Sequence, residues 1–265
     1  MVDGRANPRS SRRLRGGQAA CQDRRGAGAE SSLAWHGPPV RVLAFDSSSS
    51  TASAVFATAD SVLAARRAEV KRHGTALQPL LEEVLREAGA SLDDVELIAV
   101  GLGPGSFTGT RIGVAVAKGL AFGRGLPLVG VGSLEVLAAG FPGEGLRAPL
   151  VDAGRGRVYG GVFATDGGGV ALRGALFDQT PEAALTQLAE QGPVTVLGSG
   201  VARYEALAAH DARTAGDETP DAAVLARLAI HRAAAGRLAE PTLEPIYVRA
   251  SDAKLPARAQ AVSDS

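Results

Sequence analysis

Val100-Gly101-Leu102-Gly103-Pro104-Gly105-Ser106-Phe107-Thr108-Gly109-Thr110-Arg111-Ile112-Gly113 follows the apolar run Leu97-Ile98-Ala99. Small turn residues end a buried strand here, and a helical pattern opens at Thr108. Glycine lets the backbone turn sharply and lets another group come close. A strand ending in such a loop at a helix N-terminus presents N–H groups that suit an anion. A tight strand-to-helix turn that binds nothing satisfies the same residues. Two phosphate motifs fail on this stretch: Thr108 stands where a dinucleotide fingerprint needs its third glycine, and Lys118 lies between Ala117 and Gly119, outside any Walker pattern. The chain also lacks a G-x-S-x-G elbow and an H-E-x-x-H pair.

Working outward, strands and helices alternate on both sides of the glycine block. Val40–Phe45 reads as a strand ending at Asp46, a Ser/Thr turn follows, and Ala54–Ala57 and 61–70 read as two more strands. Leu77, Leu81, Val84 and Leu85 recur at helical spacing, with Glu82, Glu83, Arg86 and Glu87 between them; Pro79 must sit near that helix's first turn or bend it. Strand 97–100, helix 108–123, strand 128–131 and a helix from Ser133 complete the first half. Phe141-Pro142-Gly143-Glu144-Gly145 reads as a hinge or linker. Beyond it come a hairpin around Asp152, a strand near 171–177, a helix from Pro181, a strand at 194–197, and helices at 202–209 and 221–235; Pro181 and Pro220 suit first-turn positions. This order predicts an α/β protein with largely parallel sheets after an antiparallel start.

An internal echo suggests duplication. Leu43-Ala44-Phe45-Asp46 leads to Val55-Phe56-Ala57-Thr58, and Leu150-Val151-Asp152 leads to Val162-Phe163-Ala164-Thr165 at a spacing one residue longer. Two strand-Asp-turn-strand units give an acidic turn in each half, unless two hydrophobic hairpins resemble each other by chance.

Composition narrows the function classes. Twenty-eight basic and twenty-eight acidic residues give zero formal charge, which argues against a protein built chiefly to hold nucleic acid backbone. The single cysteine, Cys21, excludes an internal disulfide and fits a reducing cytoplasm. No apolar run reaches the roughly 18 residues of a membrane helix. Residues 1–39, with arginines among Gly, Ser and Ala, are expected to form a disordered basic extension; an organelle transit peptide, a dispensable tail and a misassigned start codon all fit it. Residues 249–265 read as a loose tail.

Asp46-Ser47-Ser48, His73, the Gly101–Gly113 block and Asp152-Ala153 together resemble the bacterial TsaB (YeaZ) family over roughly residues 40–248. The Gly-Pro-Gly-Ser-Phe-Thr-Gly-x-Arg-Ile-Gly block is the specific part. Thr110 stands where Leu or Val is usual, and Gly74-Thr75 replaces Ser-Glu after His73. The resemblance implies a duplicated actin-like, Hsp70 and sugar-kinase fold: two lobes with mixed five-stranded sheets flanked by helices. A first lobe would take residues 40–141 and 220–248, with the C-terminal helix returning to it, and a second lobe residues 142–219.

The same resemblance implies a non-catalytic dimerising subunit of the complex that places threonylcarbamoyl on N6 of the adenosine beside the tRNA anticodon. It would pair through its first lobe with TsaD, the catalytic paralogue, or with itself. TsaE, an ATPase, would complete the assembly, TsaC would supply the threonylcarbamoyl-adenylate, and tRNA would be reached through the complex. A TsaD-type enzyme ligates metal through His-x-x-x-His on the helix after the strand matching Leu128–Val131, where this chain has no histidine. His36, His73, His210 and His231 form no i, i+4 pair, so no metal, and no cofactor of its own, is expected; ATP, Mg and metal would belong to the partner subunits. Glu135 alone reads as a helix residue and His73 as a surface or capping histidine. Asp46, Ser47, Ser48, Gly103, Gly105, Ser106 and Asp152 are candidates for a vestigial nucleotide loop, with Gly198-Ser199-Gly200 the nearest adenosine-side motif. The candidate partner surface is Leu77, Leu81, Val84 and Leu85 on one helix and Phe107, Arg111, Ile112 and Val116 on the next, where Gly109 and Gly113 would admit a second helix. A glycoprotease-like hydrolase and a kinase-like phosphotransferase are the competing classes.

Overall fold

Alternating burial is absent from the first strand because both of its faces are covered. In the computed structural model, which describes residues 40–69, 77–166, 169–208, 214–215, 219–239 and 242–249, β1 (Val42–Asp46) is buried throughout. It pairs antiparallel with β2 (Thr51–Ala57), which pairs with β3 (Val62–Glu69), and parallel with β4 (Leu97–Gly101), which pairs with β5 (Leu128–Val131). The sheet order is β3-β2-β1-β4-β5.

The second half repeats this plan. With β6 (Gly145–Gly154), β7 (Arg157–Asp166), β8 (Gly169–Gln179), β9 (Val194–Leu197) and β10 (Thr214–Ala215), the second sheet runs β8-β7-β6-β9-β10. Duplication is therefore visible in topology. The sequence echo that suggested it sits out of step: Phe56 opposes Leu43, three residues before Asp46, whereas Phe163 opposes Arg147, five residues before Asp152. The two Val-Phe-Ala-Thr quartets are two rungs apart.

Helices exchange between the halves. On the first sheet, α1 (Leu77–Glu87) and α2 (Phe107–Arg124) cover Leu43, Phe45, Phe56, Ile98 and Val100. The opposite face, including Val42, Val55, Leu97 and Val129, is covered by α7 (Ala222–Ala234) through Leu225, Ala226 and Ile230. In return α3 (Ser133–Gly140), which follows β5, lays Leu134, Leu137 and Ala138 on Phe163 and Leu197 of the second sheet. The span expected as first lobe thus contains a helix whose apolar side serves mainly the second. Helix α4 (Pro181–Ala189) and the short α5 (Ser199–Arg203) and α6 (Glu205–Ala208) close the remaining face.

Several sequence expectations need correction. The 202–209 helix is two pieces parted by extended Tyr204 (φ −121°, ψ 116°). Pro220 precedes the N-cap Asp221 instead of entering the helix; its carbonyl accepts the Ser53 hydroxyl at 2.8 Å. The 141–145 segment is no slack hinge. Arg147, 3% exposed, donates to the carbonyls of Ala138 (3.1 Å), Phe141 (2.6 Å), Pro142 (3.0 Å) and Gly143, so the last turn of α3 and the linker share one buried guanidinium. A buried charge is tolerable only when so fully hydrogen-bonded. His73, the 1–39 extension and the tail beyond Arg249 lie outside the described residues.

Candidate functional site

The glycine block is shaped by the turn between β1 and β2. Ser106 N–H donates to Ser48 O at 2.6 Å, and the Ser47 hydroxyl donates to Gly109 O at 2.9 Å. A Cβ at Gly105 would stand 2.2 Å from Ser48 O, and one at Gly109 would stand 2.0 Å from Ser47 O. Only hydrogen fits at either position. The close neighbour that Gly109 and Gly113 admit is thus Ser47 of the same chain, whose Oγ would lie 2.6 Å from a Cβ at Gly113; it is not a second helix. Ser106 caps α2 by accepting Gly109 N–H at 3.2 Å, and the hydroxyl of buried Thr110 turns back to Ser106 O at 2.8 Å.

Asp46 lies beneath this loop, 1% exposed. Its carboxylate accepts Ser48 N–H at 2.7 Å and the Ser133 hydroxyl at 2.5 Å, and Ser133 Oγ in turn accepts Gly103 N–H at 2.9 Å. A Cβ at Gly101 would fall 1.8 Å from Asp46 Oδ2. Burial pushes the Asp46 carboxyl above its ordinary range, opposed by the bonds from Ser133 and Ser48. One carboxylate thereby ties together β1, the glycine loop and the N-terminus of α3.

A cleft of about 1080 Å³ opens between the halves. Of the candidate nucleotide-loop residues, Ser48, Gly105, Ser106 and Asp152 line it, while Asp46, Ser47 and Gly103 stand behind its wall. Asp152 accepts the Tyr204 hydroxyl at 2.7 Å and Gly154 N–H at 2.9 Å, with Arg203 Nε 3.9 Å away. Burial, then Asp152, raises the Tyr204 phenol above its ordinary value. Gly198-Ser199-Gly200 packs on β6: a Cβ at Gly198 or Gly200 would meet Leu150 O at 2.8 or 2.7 Å, and Ser199 Oγ accepts Asp152 N–H at 3.2 Å. Arg111, Arg155, Arg203 and Arg249 line the cleft with Asp152 as the one carboxylate of its lining, and Arg249 is held by Asp178 and Arg203 stands near Asp152, so the lining offers too few acidic ligands for a metal ion. The lining contains no histidine or cysteine, and among the described residues no cluster of His, Cys, Asp or Glu has metal-binding geometry.

The two candidate partner helices differ. Leu77, Leu81, Val84 and Leu85 are all 5% exposed or less, because their stripe covers the first sheet, and the outward face of α1 is Glu82, Glu83, Arg86 and Glu87. That half of the expected surface is core. On α2 the outward residues are Phe107, Arg111, Ala115, Gly119 and Phe122, one face of the helix by their spacing. Phe107 is 57% and Phe122 94% exposed, while Ile112 and Val116 are half-buried against the core. Arg111 stacks on the Phe107 ring at 3.8 Å and donates from Nε to Tyr247 Oη at 2.8 Å.

A family model described as TsaD: tRNA N6-adenosine threonylcarbamoyltransferase matches residues 66–219. The chain is 30% identical over 192 residues to the tRNA threonylcarbamoyladenosine biosynthesis protein TsaB of Haemophilus influenzae, covering 68% of this chain and 80% of that one. The chain belongs to the TsaB (YeaZ) family. The TsaB protein of Escherichia coli is 35% identical over 134 residues, 49% of this chain; the match spans 58% of that relative's length. YeaZ from Pseudomonas aeruginosa superposes with a TM-score of 0.67 at 29% identity, covering 78% of this chain and 99% of the other. Within this TsaB-family chain, Ser133, Arg147, Tyr204 and Tyr247 were missed by sequence reasoning. They act through partners 4 to 136 residues away, and only the Gly132-Ser133 helix start left any local mark.

Proposed function

We propose that this chain is the non-catalytic, dimerising subunit of the machinery that transfers threonylcarbamoyl to N6 of the adenosine next to the tRNA anticodon. It docks a TsaD-type catalytic subunit on the outward face of α2. The observation that carries the reading is that face. Phe122 is 94% exposed on it, and a Cβ at Gly119 or Gly123 would meet nothing within 4 Å. Each helical glycine costs about 1 kcal/mol relative to alanine, so two without an internal reason favour close approach by an outside backbone. Exposed aromatic and arginine side chains beside small residues match the make-up of interface cores. Self-association through the same face is the state of the chain without its partner.

The resident nucleotide and metal belong to the partner subunits in this reading. The residues here do not fit Mg-nucleotide: Asp46 is turned inward onto Ser48 and Ser133, which leaves Asp152 as the one carboxylate on the cleft wall. The TsaE ATPase and the TsaC donor-forming enzyme act beside the pair, tRNA is reached through the complex, and the work is cytoplasmic. Ala115→Arg, on the exposed face and neutral to the core, tests docking. Co-purification with the organism's TsaD should be lost while the melting curve is retained. Intact pairing would reject the α2 face, and micromolar binding of Mg-ATP to the isolated chain by calorimetry would reject the scaffold reading.

A further inference from the structure

Residues 242–249 leave the first sheet and end on the second. Ile246 N–H donates to Leu102 O at 2.8 Å, and Lys118 Nζ donates to Leu243 O at 3.2 Å. The Leu243 and Ile246 side chains lie over Gly130 and Gly132, where a Cβ would meet them at 2.9 and 3.4 Å. One residue on, Tyr247 accepts from Arg111 of α2, and its ring lies 6.1 Å from that of Phe107. Two residues further, Arg249 donates from Nε to Asp178 Oδ2 at 2.6 Å and from Nη2 to Oδ1 at 3.1 Å. Asp178 is on β8 and also accepts Arg157 Nε from β7 at 2.7 Å. Arg249 further lies 5.5 Å from the Tyr159 ring. The Arg249 bond, then Arg157, holds the Asp178 carboxyl below its ordinary range. A single extended segment is thus fixed at one end to the second sheet and at its middle to the exposed face of α2.

We propose that this segment is a strap coupling the second half to the docking face: the Asp178–Arg249 pair holds Tyr247 in place, and Tyr247 orders Arg111 and Phe107 for a partner. The inference rests on the docking reading above. Its physical basis is preorganisation. Arg111 and Phe107 stay ordered while the strap is seated, so a partner does not have to immobilise them on binding; once the strap lifts, it does. The second half then influences affinity at a surface that the first half carries.

The test uses the full chain and the organism's TsaD, measuring Kd together with hydrogen exchange of residues 243–248. Asp178→Asn and Arg249→Gln are each expected to weaken pairing about tenfold, the order expected for re-ordering two or three interface side chains. Both should speed exchange in the strap, and Asp178→Glu should recover part of each effect. Arg249→Gln guards against a folding defect in the Asp178 variant, since it leaves the Asp178–Arg157 bond between β8 and β7 in place. Faster exchange with unchanged Kd overturns the coupling; unchanged exchange overturns the strap itself. Ala115→Arg, run alongside, separates the two readings. If it abolishes pairing while the strap variants do not, docking survives and the coupling falls. If it leaves pairing intact, docking falls and takes the coupling with it.

Discussion

Gly109 and Gly119 sit on one helix and answer to opposite demands. Alanine at Gly109 gains about 1 kcal/mol of helix propensity but drives a Cβ to 2.0 Å from a backbone oxygen that cannot step aside. The net expectation is a loss of about 2–3 kcal/mol in urea denaturation of the isolated chain. Alanine at Gly119 meets nothing and should stabilise by up to about 1 kcal/mol. Equal effects at the two positions would contradict the packing described. Asp46 makes a second residue-scale prediction, in pH. Its pKa is raised in the folded chain, so the native state binds the proton more tightly than the unfolded one. That contribution is fully present below the ordinary value of 3.8 and is lost as pH rises through the native value. The stability deficit of Asp46→Asn relative to the natural chain should therefore be largest near about pH 4 and narrow toward about pH 7. A deficit that widens with pH would mean that the carboxylate is stabilised by its bonds more than it is penalised by burial.

At the scale of elements, legibility followed the range of the forces. Buried strands such as Leu97–Gly101, the amphipathic helix α1 and the capped helix α4 announce themselves through local pattern, and their positions agree with the sequence reading. What a helix faces is a different matter. The stripe of α1 is as apolar as an interface would be, and only the sheet beneath it shows that the stripe is already used. The glycines of the central block were legible as a place of close approach, yet the approaching group, Ser47-Ser48, lies about 60 residues earlier. Phe141-Pro142-Gly143-Glu144-Gly145 reads as a hinge or linker, because the arginine that fixes it sits in the strand beyond. Of the nucleotide-loop candidates, the local turn at Asp46 is real, but its direction, inward onto Ser133, depends on a residue of another element.

For the whole molecule, the decisive arrangement is the trade of covering helices: α3 of the first half on the second sheet, α7 of the second half on the first. Glu135 and Arg232 join the two helices at 2.6 Å, and Arg232 also donates to Gly130 O at 2.7 Å. Neither half can bury its own apolar surface, so the protein should unfold in one transition, with Leu137→Ala and Leu225→Ala each lowering the midpoint for both sheets by about 2–5 kcal/mol of stability. Two separate transitions in calorimetry would show the halves to be independent. The trade also has a cost in time. About 90 residues lie between the end of β5 and the start of α7. At ~5–20 residues per second, a ribosome needs about 5 to 20 seconds to supply that helix. Throughout that interval the Val42, Val55, Leu97 and Val129 side of the nascent sheet lacks the helix that covers most of it, an apolar face that a chaperone waiting at the tunnel exit would shield.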